Sequence, residues 1–191
     1  MLATIVSRIR RNHGLEHATI HVLSEKHRNF SAQGNSDHGG FNLNIYGDIT
    51  EDEVFDAVKE AYQRMKAGEH QLAVHPNCGT VLLTTATMAT LTAIGTFSLE
   101  QLRQKESKLN FSVLVNALPT TILAVVMALI VSRPVGVQLQ AKYTVEGDLQ
   151  NMQIANIKKV NPSIVTRFFQ ALLTVGRPAL HATAYRIETV G

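Results

Sequence analysis

Two long runs of residues without a charge constrain the fold of this 191-residue chain more than any other feature. Residues 79–99 and residues 111–132 contain no Asp, Glu, Lys or Arg, and a short charged connector separates them. A helix of about 20 apolar residues crosses a hydrocarbon core of about 30 Å. We therefore predict a transmembrane hairpin, rather than two buried core helices, with the lipid bilayer as a partner.

The hairpin divides the chain into three regions, which are residues 1–78, 79–132 and 133–191. Both flanking regions must lie on the same side of the membrane. They carry fifteen of the eighteen Lys and Arg residues and the one cysteine, which favours a bacterial cytoplasmic membrane with both termini in the cytoplasm. The formal net charge of +3 is too small to indicate a nucleic-acid surface, so no nucleic-acid partner is expected.

The first apolar run has seven threonines, a composition that lets helices approach closely in lipid. We expect this run to pack against the second run or against another subunit. A homo-oligomer or a membrane-protein partner therefore belongs to the prediction.

The flanking regions show the patterns of a small domain made of helices and strands. Thr50 and Glu53 form a capping box before an amphipathic helix that ends near Gly68, and residues 41–46 alternate as in a strand. Residues 135–145 give the clearest alternation in the chain and predict a half-buried strand. A second strand is expected through Ile157, then a helix over residues 161–176 and a last strand over residues 181–190. The fold class is therefore an α+β membrane protein, in which strands of both flanks complete one sheet.

Seven of the eight histidines precede the first apolar run, and they are the strongest functional signal. His13 and His17 belong to an H-x-x-E-H motif, so they lie one helical turn apart and are able to bind one metal ion. Glu16 lies beside them, where a general base would reach a water molecule. On a helical wheel, His13, His17 and His21 face away from the apolar stripe. The alternatives to a metal site are a solvated histidine face, or histidines that hydrogen-bond to a second layer.

Two further segments offer candidate metal ligands. His75 and Cys78 present a nitrogen and a sulfur before the first apolar run, a pair that suits zinc or copper(I). The alternative is a capped turn with a buried, inert thiol. His38, which precedes two glycines, either approaches a ligand closely or fills a turn.

The H-x-x-E-H motif at residues 13–17 resembles that of the inverse zincins, which are zinc metallopeptidases. The resemblance implies that His13 and His17 are zinc ligands, that Glu16 activates water and that a downstream glutamate is a further ligand. The longer motif HGLEHAT at residues 13–19, with DHGGF at 37–41 and HPNCG at 75–79, is similar to that of small bacterial membrane proteins defined by a domain of unknown function. This second resemblance implies topology and family membership without an activity.

Two classes of function follow from these patterns. The first is an integral membrane, zinc-dependent hydrolase, a peptidase, with Glu16 as the catalytic base. Its candidate metal ligands are His13, His17, His21, His38, His75 and Cys78. The second is a non-catalytic membrane assembly factor or complex subunit, whose histidines bind a structural metal or only hydrogen bonds. The role of Glu16 discriminates between them, because a structural site needs the ligands but not the base.

Overall fold

The computed structural model describes residues 2–105, 108, 110–163, 166, 167 and 182–191. Within them the chain forms helices and one sheet. The helices are α1 (Leu2–Lys26), α2 (Glu51–Lys66), α3 (Gly79–Gln104) and α4 (Phe111–Leu139), with a 3-10 turn at His70–Ala73 and a π-helical turn at Gln140–Thr144. The strands are β1 (Ser31–Asp37), β2 (Gly40–Tyr46), β3 (Gln153–Val160) and β4 (Ala182–Val190). The described residues divide into two compact units, one from residues 1–75 and 141–191 and the other from residues 76–140.

The first unit contains a four-stranded antiparallel sheet in the order β1-β2-β4-β3. The two central strands come from opposite flanks of the chain, with Phe41 opposite Ile187 and Leu43 opposite Tyr185. This pairing confirms the prediction that strands from both flanks complete one sheet. The folded unit therefore requires both the N-terminal and the C-terminal region.

The core of this unit lies between the sheet and helices α1 and α2. Its fully buried side chains come from α1 (Leu15, Ala18, Val22, Leu23), α2 (Val54, Ala57, Val58, Ala61, Met65), β2 (Phe41, Leu43) and β4 (Ile187). The α1 residues are those that the helical wheel places on the apolar stripe, so the histidines lie outside that stripe as predicted. The capping box of α2 is also confirmed, because Glu53 N–H donates to Thr50 Oγ1 while the Glu53 carboxylate accepts from Thr50 N–H at 2.8 Å.

In the second unit, α3 and α4 are long and apolar enough to cross a membrane. Large apolar side chains stay exposed along both helices, with Leu83 70% and Leu123 66% accessible. A core helix of a soluble protein buries such side chains, so this exposure favours contact with lipid.

Helices α3 and α4 pack against each other through small and hydroxyl-bearing residues. The Thr96 and Thr121 hydroxyls lie 2.8 Å apart, and Ser132 donates to Thr85 at 3.0 Å. The prediction that the first apolar run packs against the second is therefore confirmed, and two of its threonines hydrogen-bond to α4.

The predicted strand over residues 135–145 is wrong. Helix α4 continues to Leu139 and then tightens into the π-helical turn, although Pro134 lies inside the helix. Extending an existing helix adds one hydrogen bond per residue, whereas a new strand needs a partner. Gly136 also favours the helix, because a Cβ there would lie 2.9 Å from Val81 Cα and the glycine lets α3 and α4 approach closely. The alternation of polar and apolar residues over 135–145 carries no information about this contact between α3 and α4.

The remaining strand predictions hold, with shifted bounds. The strand expected through Ile157 is β3, and the last strand is β4. The helix predicted over residues 161–176 falls largely outside the described residues.

Candidate metal centre

The histidine face of α1 packs against the chain segments that flank the two apolar helices. His17 is 3% exposed, and His13 and His21 are half-buried. The rings of His13 and His17 have centroids 4.4 Å apart, as expected for residues one turn apart. Because His17 is buried, the histidines do not form a solvated face.

Each of these histidines is bonded to a backbone carbonyl. His13 Nδ1 lies 3.0 Å from Thr144 O, His17 Nδ1 lies 2.7 Å from Ala73 O, and His21 Nε2 lies 2.9 Å from Val74 O. A carbonyl oxygen only accepts, so each of these ring nitrogens carries a hydrogen in the neutral ring. The lone pair is then on Nε2 of His13 and His17 and on Nδ1 of His21. Metal-binding histidines are typically oriented by such a carbonyl.

Gly14 allows the segment after α4 to approach the histidine face. A Cβ on Gly14 would lie 2.4 Å from Glu146 O, which is closer than any real contact. Glu146 N–H donates to Arg10 O at 3.0 Å, and the Arg10 guanidinium donates to Val145 O at 2.9 Å. Arg10 and Gly14 together therefore hold the Thr144 carbonyl beside His13. Neither residue was a sequence candidate, although a glycine inside a helical motif is the signal of such a close approach.

Glu16 lies on the side of α1 that faces the edge strand β1. It is 4% exposed, and Oε2 accepts a hydrogen bond from Ser36 Oγ at 2.6 Å. A Cβ on Gly34 would lie 2.0 Å from Glu16 Oε1, so this glycine makes room for the carboxylate. The carboxylate position is therefore fixed by β1, through Ser36 and Gly34, which no sequence motif marked.

The segment after the 3-10 turn brings His75 to the histidine face. The His75 ring centroid is 4.9 Å from that of His21 and 5.8 Å from that of His17. Cys78 is the N-cap of α3, where its Sγ accepts from Thr80 N–H at 3.5 Å, and it is 7% exposed. Its capping role agrees with the alternative that the sequence left open. His13 and His17 belong to the first unit, whereas Cys78 belongs to the second.

His38 occupies the turn between β1 and β2 and is exposed. Next to it, Asp37 accepts two hydrogen bonds from Arg186 at 2.8 and 2.9 Å. These hydrogen bonds hold the pKa of the Asp37 carboxyl below its usual range. The Asp37 carbonyl in turn accepts from Asn12 Nδ2 at 2.8 Å, which anchors the turn to α1. His38 therefore lies in a turn that is anchored to α1, and it does not belong to the histidine face.

The donor set of this region has a definite chemistry. Imidazole nitrogens suit zinc, copper and nickel, while magnesium and calcium prefer oxygen ligands. Glu16 adds a carboxylate on the same helix as His13 and His17, held by a different element. Helix α1 thus carries imidazole donors on one side and a fixed carboxylate on the side that faces β1.

A family model described as a domain of unknown function (DUF6391) matches residues 8–157. An uncharacterised protein from Picosynechococcus sp. is 37% identical over 94 residues, which cover 42% of this chain and 45% of that protein. The chain therefore spans less than half the length of this relative. No solved structure matches the chain.

Proposed function

The chain belongs to the DUF6391 family, and from that premise we propose that it is a membrane-embedded, zinc-dependent hydrolase of the peptidase class. In this proposal His13 and His17 bind the zinc ion and Glu16 is the general base. The observation that carries it is helix α1, which supplies both two imidazoles oriented by backbone carbonyls and a buried carboxylate.

The type of the proposed ligands supports a zinc site. Zinc is bound by imidazole nitrogens in both structural and catalytic sites. The Thr144 and Ala73 carbonyls supply the second layer that orients His13 and His17. A bound zinc ion supplies a Lewis acid that polarises the scissile carbonyl.

The position of Glu16 supports its role as the base. The hydrogen bond from Ser36 and the packing against Gly34 fix the carboxylate. A base that is already held in position takes a proton from water without an entropy cost for ordering its side chain during the reaction. The resemblance to the inverse zincins assigns the same task to this glutamate.

The exposed apolar surfaces of α3 and α4 support placement in the membrane. In this proposal both helices span a bacterial cytoplasmic membrane, and both termini lie in the cytoplasm. The histidine face binds chain segments close to the start of α3 and to the end of α4. The substrate in this proposal is a polypeptide.

A non-catalytic membrane assembly factor or complex subunit is the second candidate. The contacts of Glu16 favour it, because a carboxylate bonded to Ser36 and packed on Gly34 also stabilises the α1–β1 contact without any chemistry. The two candidates predict different effects of Glu16→Gln. A catalytic base makes cleavage depend on the carboxylate, whereas the non-catalytic candidate has no cleavage to lose.

The test compares Glu16→Gln with Glu25→Gln, a matched change at an exposed position of the same helix. Full-length protein is purified in detergent and loaded with zinc, its zinc content is measured, and cleavage of a mixture of unstructured peptides is followed by mass spectrometry. We expect both variants to retain zinc. Only Glu16→Gln should lose activity, by about 100-fold or more, because an amide cannot accept the proton.

Three outcomes would contradict the proposal. A wild-type protein that binds no zinc removes both the enzyme and the metal site. If the zinc-loaded wild-type protein cleaves no peptide, the hydrolase is excluded and the non-catalytic candidate remains. Equal activities of the Glu16→Gln and Glu25→Gln variants would show that the carboxylate is not the base.

A further inference from the structure

Helix α4 carries an amide side chain inside its apolar run. Asn116 follows Phe111, the first residue of that run, by five positions, so it lies about 8 Å along the helix from the start of the run. Asn116 is exposed, whereas Ala117 and Thr121 are buried. With α4 in the bilayer as proposed, this amide lies in hydrocarbon and away from water.

The amide has few partners of its own. Its side chain has two N–H donors and one carbonyl acceptor. Within the described residues it makes one side-chain hydrogen bond, in which Nδ2 donates to Ser112 Oγ at 3.3 Å. Thr84 is different, because its hydroxyl donates to Thr80 O on its own helix at 2.8 Å. The Asn116 amide therefore keeps bonding capacity that lipid does not satisfy.

Two hydroxyls extend this polar surface. Ser112 and Thr120 lie one turn before and one turn after Asn116, and all three side chains are exposed. Pro119 lies inside the same helix and has no N–H, so the Val115 carbonyl lacks its usual helical donor. We call the surface formed by Ser112, Asn116 and Thr120 the amide face. It presents hydrogen-bonding groups to a solvent that offers none.

The chemistry of the amide face fits a second copy of this chain. Copies that insert with the same orientation carry Asn116 at the same depth, so a two-fold axis along the membrane normal brings the two amides together. An amide both donates and accepts, so two amides satisfy each other. A lipid tail satisfies neither the donor nor the acceptor.

We propose that the amide face binds the same face of a second copy within the bilayer, with the two Asn116 side chains hydrogen-bonded to each other. Asparagine, serine and threonine side chains form such hydrogen bonds between membrane helices. The proposal rests on the membrane placement of the proposed function, but it needs neither zinc nor catalysis.

The experiment measures association of full-length chains in vesicles of phosphatidylcholine and phosphatidylglycerol. Donor and acceptor dyes are attached to a C-terminal tag, and energy transfer between chains is followed as the protein is diluted with lipid. The test variant is Asn116→Leu, and Asn116→Gln keeps an amide at the same position. Thr90→Leu is the matched control, because Thr90 is an exposed polar residue of α3.

We expect wild type, Asn116→Gln and Thr90→Leu to associate with similar affinity. Asn116→Leu should associate about 3- to 30-fold more weakly, because leucine suits lipid but cannot form the hydrogen bond. Energy transfer in the wild type that is no greater than that of randomly distributed chains overturns the proposal. Equal association of Asn116→Leu and wild type, or equal weakening by Asn116→Leu and Asn116→Gln, overturns it as well.

Disulfide cross-linking tests which face is in contact. It uses a Cys78→Ser background, since serine retains an N-cap for α3. Ser112→Cys should cross-link two copies, whereas Leu118→Cys should not, because Leu118 is exposed at about 200° around α4 from Asn116. Cross-linking through Leu118→Cys but not through Ser112→Cys would place the contact elsewhere and overturn the proposal.

The failure of this proposal is distinguishable from failure of the proposed function. Wild-type chains that insert into the vesicles but stay monomeric remove only the contact between copies. Chains that do not float with the vesicles remove the membrane placement itself. Associated chains that cleave no peptide remove only the hydrolase.

Discussion

Replacing Gly14 by alanine is expected to destabilise the first unit, although alanine is the better helix former. The added Cβ would lie 2.4 Å from Glu146 O and 3.1 Å from Ala73 Cβ. The oxygen belongs to backbone that does not move away easily, because Glu146 N–H is bonded to Arg10 O at 3.0 Å and Val145 O accepts from the Arg10 guanidinium. The segment after α4 must therefore shift away from α1.

The opposing contributions have known sizes. Alanine in place of glycine favours a helix interior by about 1 kcal/mol. Forcing an extra carbon into a packed site costs about 1–3 kcal/mol, and losing the Glu146 to Arg10 bond costs about 1 kcal/mol more. The net expectation for Gly14→Ala is a loss of about 1–3 kcal/mol in the free energy of unfolding. The shift also moves the Thr144 carbonyl away from His13, which should weaken zinc binding by about 10-fold or more.

The assay is denaturant unfolding of the detergent-solubilised protein, together with a zinc titration. Gly95→Ala is the matched control, because this glycine lies within α3 and a Cβ there meets nothing within 4 Å. The control should be as stable as wild type or slightly more stable. If Gly14→Ala behaved like the control in both measurements, the close approach at Glu146 would not govern the site.

Three other expectations are open to direct measurement. Gly34→Ala should displace the Glu16 carboxylate, because the added Cβ would lie 2.0 Å from Oε1. Peptide cleavage should then fall while zinc is retained, and unchanged cleavage would contradict the role of β1. Because the folded pKa of Asp37 is lowered by Arg186, the stability from this pair is present above the unfolded pKa of about 3.9 and is lost as the pH falls further. The stability difference between wild type and Asp37→Asn, followed by unfolding from pH 5 to pH 2.5, should therefore shrink toward the acid end. A membrane-impermeant thiol reagent should reach a cysteine placed at Lys105 from the opposite side to a tag at either terminus, and labelling from the same side would refute the hairpin topology.

Much of the fold follows from local patterns that the sequence displays. The capping box at Thr50 and the alternation around Leu43 each depend on residues a few positions apart, and both elements form as expected. The apolar stripe through Leu15 was also predictable, because one helix alone decides which residues share a face.

The end of α4 was not predictable in this way. Residues 135–145 alternate like a strand, but the packing of Gly136 against Val81 and the bonds from Arg10 to the carbonyls of Lys142 and Val145 belong to tertiary structure. A pattern of polar and apolar side chains carries no information about which carbonyl a distant arginine will bind.

The site shows the same division. The spacing of His13 and His17 placed both on one helical turn, and the structure brings their rings together. Their second layer consists of the carbonyls of Ala73, Val74 and Thr144, which are backbone groups that any residue would supply. Only the fold reveals such partners, because no side-chain type marks them in the sequence.

The three histidine-to-carbonyl bonds also lie at the points where the chain leaves and re-enters the folded unit. The chain leaves this unit just after Ala73 and Val74, which are bonded to His17 and His21, and it returns just before Thr144, which is bonded to His13. Both points are therefore bonded to side chains of α1. With α3 and α4 in the bilayer as proposed, we expect a pull on either helix to change the orientation of these imidazoles.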